Sequence, residues 1–154
     1  MKQVVLLMMV ALGLALPATA QLKPVAQKPV HWSFIVQKKK NGEYRLEAHA
    51  IMDKGFHIWA LDAGGDGSLI PTSFVSATLA KGAWTSDWKE QAPPVVQTLA
   101  FIEGAVRWHQ HEITFYRDFK APAGTRIKGG VEFQTCNEEM CYPPATELFE
   151  TTAP

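Results

Sequence analysis

The sequence predicts an all-β domain, an antiparallel sandwich or barrel. Three observations carry this. Apolar residues recur at every second position in several short stretches, the period of a strand with one buried face. Turn signals separate those stretches at short intervals. No stretch sustains an apolar period of 3.6, so no helix is called for. The chain has 154 residues, which is one domain by length. Hydrophobic residues make up 47% and charged residues 19%, a globular balance. Fifteen basic residues against fifteen acidic ones argue against a nucleic-acid binder.

The first twenty residues stand apart. Lys2 is followed by an uncharged apolar run, Val4 to Leu16, and then by Pro17 and Ala18-Thr19-Ala20. A basic start, a short apolar run and an A-x-A exit are the pattern of a secretory signal peptide, cleaved before Gln21. The run is shorter than the ~20 residues of a spanning helix. No cysteine follows it, which argues against lipoprotein processing. After cleavage 14 basic residues face 15 acidic ones, a net charge of −1, and no other apolar run approaches spanning length. The expected product is exported, and not itself membrane-spanning. Residues 21–29 hold two prolines and read as an extended lead-in. The domain is expected over residues 30–154.

Val30, Trp32, Phe34 and Val36 alternate with polar residues and form the first strand. Asn41-Gly42 then gives the strongest short hairpin signal. Tyr44, Leu46, Ala48, Ala50 and Met52 alternate again as the returning strand. Lys54-Gly55 turns the chain into Phe56-His57-Ile58-Trp59. The segment from Asp62 to Ser68 is a loop of three glycines and two aspartates, without the ligand spacing of a calcium loop. Thr72 to Leu79 is β-rich, and Trp84 to Pro94 an irregular connection. Val95 to Ile102 carries no decisive pattern. Ala105 to Phe119 holds one or two strands, Arg126 to Thr135 one strand, and Glu147 to Thr151 a short last one. The total is seven to nine strands.

The chemistry-bearing segment is Cys136-Asn137-Glu138-Glu139-Met140-Cys141-Tyr142-Pro143-Pro144, which holds the only two cysteines. In an exported protein a bond between them is the default. So short a loop contributes only about 2 kcal/mol on the chain-entropy account. A structural staple would more usefully join distant strands, so a redox role is favoured over a staple. The spacing is not C-x-x-C, and no thioredoxin-type helix start is implied. Glu138 and Glu139 disfavour a thiolate between them. A copper or zinc site is a further alternative, with Cys136, Cys141, Met140, His109 and His111 as ligands. His-x-His on a strand shares one face, but nothing in the sequence brings that strand beside the cysteines. No metal is assigned. No phosphate loop, nucleophile elbow or triad spacing is present.

Together with Val131-Glu132-Phe133-Gln134 before it, the cysteine segment resembles the N-terminal periplasmic domain of the thiol:disulfide interchange protein DsbD. Gly55-Phe56-His57-Ile58-Trp59 and Leu69-Ile70-Pro71-Thr72-Ser73-Phe74 are similar to further segments of stand-alone relatives. The resemblance runs from His31 to Phe149. It implies an immunoglobulin-like β-sandwich that relays electrons by thiol–disulfide exchange, with Cys136 and Cys141 as the reacting pair and no cofactor. It implies a thioredoxin-like or membrane electron donor, and exported disulfide isomerases or cytochrome c maturation thioredoxins as acceptors, all in the periplasm. Four residues separate the cysteines, where the best-known members have five. Cys141, beside Tyr142-Pro143-Pro144, is the expected partner-linked sulfur. His57, Trp59 and Tyr142 are expected to line the site. A cap loop ending at Gly104 would make Phe101 or Ile102 the shield over the sulfurs. Phe101 is preferred, because an aromatic ring covers more surface; Trp59 or Trp108 would be the substitute. The rival from another class is a non-enzymatic β-sandwich binding module with a structural disulfide.

Overall fold

A computed structural model describes residues 28–154. The expected signal peptide and most of the lead-in lie outside the described residues. No helix among the described residues is long and apolar enough to cross a membrane.

Strands β1 (Val30–Lys38) and β2 (Glu43–Met52) pair antiparallel in unbroken register, from Val30↔Met52 to Lys38↔Tyr44. Asn41 and Gly42 sit at φ 57° and 72° in the connecting turn. Two successive positive φ values are what a type I′ turn requires, and Asn-Gly tolerates both. The Glu43 N–H donates to the Lys40 carbonyl at 3.1 Å across that turn. The period of two then decides the burial. Tyr44, Leu46, Ala48, Ala50 and Met52 all face inward and are buried.

Three sheets result. In the first, β9 (Glu112–Lys120) pairs with β2, and its other edge takes the two-residue strands β5 (Ala83–Trp84) and β6 (Lys89–Glu90). The second orders β12 (Ala145–Thr152), β10 (Arg126–Phe133) and β4 (Ser73–Leu79). These two face each other through aromatic rings. Phe34 stacks on Phe149 with centroids 4.5 Å apart, Trp32 lies 5.3 Å from Phe133, and Phe74 lies 5.7 Å from Phe115. Phe115, Phe119, Ile127 and Val131 are fully buried between them. Such a filled space between two antiparallel sheets is a sandwich core.

The third sheet orders β11 (Thr135–Cys136), β3 (His57–Gly64), β8 (Ala105–Gln110) and β7 (Val95–Thr98). Two of its strands continue chain that has just left, or is about to join, another sheet. Ala105–Phe119 is two strands, β8 and β9, divided at His111. That residue stands at φ 68° and accepts the Met52 N–H at 2.7 Å. Arg126–Thr135, expected as one strand, breaks at Gln134, where the chain crosses from the second sheet to the third. Val95–Ile102 resolves into β7 and the start of the loop at 99–104. The strands number twelve among the described residues because three of them are two residues long. The architecture is all-β, an immunoglobulin-like antiparallel sandwich.

Candidate functional site

Cys136 and Cys141 are bonded and close a hairpin of their own. They form an isolated antiparallel bridge, with Cα atoms 3.9 Å apart. The Asn137 N–H donates to the Met140 carbonyl at 2.9 Å, and the Tyr142 N–H to the Thr135 carbonyl at 2.8 Å. Asn137 holds the loop from inside. Its Oδ1 accepts the N–H groups of Glu139 and Met140 at 2.9 and 2.8 Å. Asparagine is suited to this, because its short side chain imitates a backbone turn. Gln134 Nε2 donates to the Tyr142 carbonyl at 3.2 Å, and the Tyr142 ring lies 5.9 Å from Phe56. The bond therefore sits at a strand end within one sheet. It joins no distant strands.

The two cysteines differ in exposure. Cys136 is 1% exposed, while Cys141 is exposed. Strand alternation explains what surrounds the buried one. Cys136 pairs with His57, His57 with Gln110, and Trp59 with Trp108. Directly opposed residues share a sheet face, and so do residues two apart. One face of the third sheet thus carries Cys136, His57, Trp59, Trp108 and Gln110. The other face carries Thr135, Ile58 and His109 toward the core. The His57 ring stands 5.2 Å from Trp59 and 5.3 Å from Trp108. Burial pushes the His57 imidazole below its ordinary pKa. His57, Trp59, Trp108, Cys136 and Cys141 line a cavity of about 510 Å³. Trp59 is 3% exposed, and its indole N–H has no hydrogen-bond partner among the described residues.

The cap differs from expectation. Phe101 is 98% exposed and packs over neither sulfur. Leu99 and Ile102 instead line the cysteine cavity, packed with Leu69 and Trp108 against the buried cluster of Trp59, Ala63, Val106 and Cys136. The loop turns at Gly104, φ 89°, as the glycine suggested. Leu99 and Ile102, three positions apart, turn toward the cluster, and Ala100 and Phe101 between them are exposed. Ring size had favoured Phe101; loop phase decided for Ile102. That phase is set by contacts with Gly65 and Val106, which sequence spacing does not reveal.

The two histidines of the His-x-His pair part company. His109 is buried, edge-on to Phe115 at 5.8 Å, with Nε2 3.2 Å from Glu90 Oε1. His111, at the kink itself, lines the cysteine cavity. The left-handed residue ends the alternation that would have put both rings on one face. Among the described residues, no three His, Cys, Asp or Glu side chains converge as a metal site. Glu90 also accepts the Leu61 N–H at 2.7 Å. Burial raises the Glu90 carboxyl pKa, but His109 and the Leu61 N–H outweigh this and hold it below the usual carboxylate range. Leu99 begins the apolar stretch read as the cap loop, whereas Glu90 carried no signal in the sequence, because it acts through contacts between distant strands.

The family described as "Thiol:disulfide interchange protein DsbD, N-terminal" matches residues 21–153. A search of curated proteins found no match. Among solved structures, the chain is similar to the N-terminal periplasmic domain of ScsB from Proteus mirabilis. That alignment has 15% identity and a TM-score of 0.59, over 84% of this chain and 48% of that one. The chain thus spans about half the length of the ScsB structure. The DsbD N-terminal domain of Neisseria meningitidis in its reduced form aligns at 12% identity and a TM-score of 0.44, over 79% and 85% of the two chains. The complex of the DsbD and PilB N-terminal domains from Neisseria meningitidis aligns at 18% and 0.46, over 89% and 91%. The ScsB likeness is one of fold, and the family match runs through the bonded cysteine hairpin. The chain belongs to the family of DsbD N-terminal domains and is a thiol–disulfide exchange domain.

Proposed function

We propose that this domain is an exported relay, which takes electrons from a thioredoxin-like or membrane donor and hands them to exported disulfide-bonded partners. The observation that carries this is the asymmetry of the pair, an exposed Cys141 bonded to a buried Cys136 at the rim of an apolar cavity. Exchange proceeds when a thiolate attacks one sulfur and the other leaves. Access makes Cys141 the sulfur that a partner reaches and Cys136 the one that leaves or resolves. His57 and Trp59 line the approach, and Tyr142 steadies the hairpin through Phe56. The Neisseria DsbD domain forms a complex with the PilB N-terminal domain, which supports a protein partner of that kind. Periplasmic placement rests on the expected signal peptide and on the ScsB domain being periplasmic.

A buffer titration tests the reading. Poised against glutathione or dithiothreitol, the pair is expected to equilibrate at one potential while the β circular dichroism stays unchanged. Cooperative unfolding on reduction would make the bond a structural staple and end the relay. The geometry favours the first outcome, since the bond closes only its own hairpin. Losing it removes about 2 kcal/mol on the chain-entropy account.

A further inference from the structure

We propose that His57 is the group that moves the proton of Cys136 during exchange. The proposal rests on the relay reading and names the step at which a buried sulfur needs help. Cys136 is 1% exposed, so as a leaving thiolate it has almost no direct water. A buried anion without a partner is costly. A proton must therefore reach or leave that sulfur through the protein. His57 is the directly opposed residue on β3, on the same face, in the same cavity. Opposed side chains in an antiparallel pair have Cβ atoms about 4.5–5.5 Å apart. The ring is held between Trp59 and Trp108, and its nitrogens make no hydrogen bond or ion pair among the described residues. It is free to exchange a proton.

The surrounding charges leave His57 as the fitting group. β11 offers only Cys136, β8 offers the uncharged Trp108 and Gln110, and β3 itself offers Trp59. The other titratable groups on the cavity wall are Glu138 and His111, both exposed. No carboxylate pairs with His57 to hold it protonated, and burial favours its neutral form. A neutral imidazole beside a thiol is an activating base.

The step balances in both directions. In oxidation of the dithiol, the Cys141 thiolate first attacks a disulfide of the partner, so that the partner's bond breaks, a mixed disulfide forms and one partner sulfur leaves as a thiolate. Cys136 S–H gives its proton to the neutral His57 ring, and the resulting thiolate attacks Cys141 Sγ. The Cys136–Cys141 bond forms, the bond to the partner breaks, and the partner leaves as a thiolate. The imidazolium returns its proton to solvent through the cavity. In reduction, a partner thiolate attacks Cys141 Sγ, and the electron pair of the broken bond stays on Cys136. The His57 ring, taking a proton from solvent through the cavity, passes it to that sulfur and returns to its neutral form.

Two-phase kinetics with 5,5′-dithiobis(2-nitrobenzoate) separate the steps. The full-length reduced protein releases one thionitrobenzoate as Cys141 reacts and a second as Cys136 closes the ring. His57→Gln and His57→Phe are expected to slow the second phase by about 10²-fold near pH 7, the low end for a positioned acid–base group. The first phase should change less than the second. The variant's second phase should also rise with pH up to the thiol pKa, where the wild type levels off lower, at the imidazole. Using two replacements, one keeping polarity and one keeping the ring, guards against a folding defect in either. An unchanged second phase and pH profile in both variants would overturn the proposal. So would equal slowing of both phases, or loss on Glu138→Gln or His111→Asn in place of the His57 variants. If the wild type itself never closes the ring, the relay reading fails first.

Discussion

At the scale of single residues, access separates positions that look alike in sequence. The two cysteines are equivalent in the motif, yet Cys136 is buried and Cys141 exposed. Limited alkylation of the reduced protein should therefore modify Cys141 first. Peptide mass spectrometry reads the order, and equal labelling of both would contradict the asymmetry. The loop over the sulfurs gives a second test. Phe101→Ala is expected to shift the unfolding free energy by less than about 0.5 kcal/mol, as for exposed positions free of special contacts. It should also leave reduction by dithiothreitol at its wild-type rate. Ile102→Ala, which uncovers the cluster around Cys136, should speed that reduction. A faster Phe101→Ala with an unaltered Ile102→Ala would restore the aromatic cap. The cysteines were legible because their type, with the expected export, already limits their chemistry. The cap was not, because one position of phase in a loop decides which side chain faces inward.

At the scale of elements, the site exists because two strands change sheets. Gln134 carries the chain from β10 to β11, and His111 from β8 to β9. The His111 backbone sits in the left-handed region, φ 68°, which costs an L residue about 1–2 kcal/mol. His111→Gly should therefore be neutral or mildly stabilising, and His111→Val should destabilise, as β-branched residues tolerate positive φ least. Urea melts of the two variants decide this; equal stabilities would mean that the kink is not required. The strands themselves were legible from their period of two. The breaks at His111 and Gln134 were not, since both flanks keep strand composition. The first hairpin was readable to its turn type, because Asn-Gly acts locally and needs no partner strand.

At the scale of the whole molecule, two partly buried carboxylates are expected to contribute to the acid limit of stability. Asp118 accepts two bonds from Arg45, at 2.7 and 3.0 Å, and one from Lys39 at 3.1 Å. The Arg45 bonds lower its pKa most, burial opposes them, and Lys39 adds to the lowering. Glu90 is lowered as well, against its burial, by His109 and the Leu61 N–H. A depressed folded pKa contributes stability that is present above the unfolded carboxyl value, about 4. That stability is lost as pH falls through the folded value. Denaturant melts should accordingly show stability falling below about pH 4, with a shallower acid limb in Glu90→Gln. An identical limb in the variant would remove Glu90 from the account.

The sequence by itself determined the all-β class, the first hairpin, the bonded cysteine pair and the membership implied by the cysteine segment. Each of these rests on local pattern or on residue type. Only the tertiary structure decided which cysteine is exposed, that His57 opposes Cys136, that Ile102 and not Phe101 packs at the site, and that His109 faces the core while His111 faces the cavity. All but the cap, which the phase of its loop decides, depend on the register between β3, β8 and β11. A shift of one residue in register turns every side chain to the other face. That register is fixed by packing across strands far apart in the chain, which no local spacing contains.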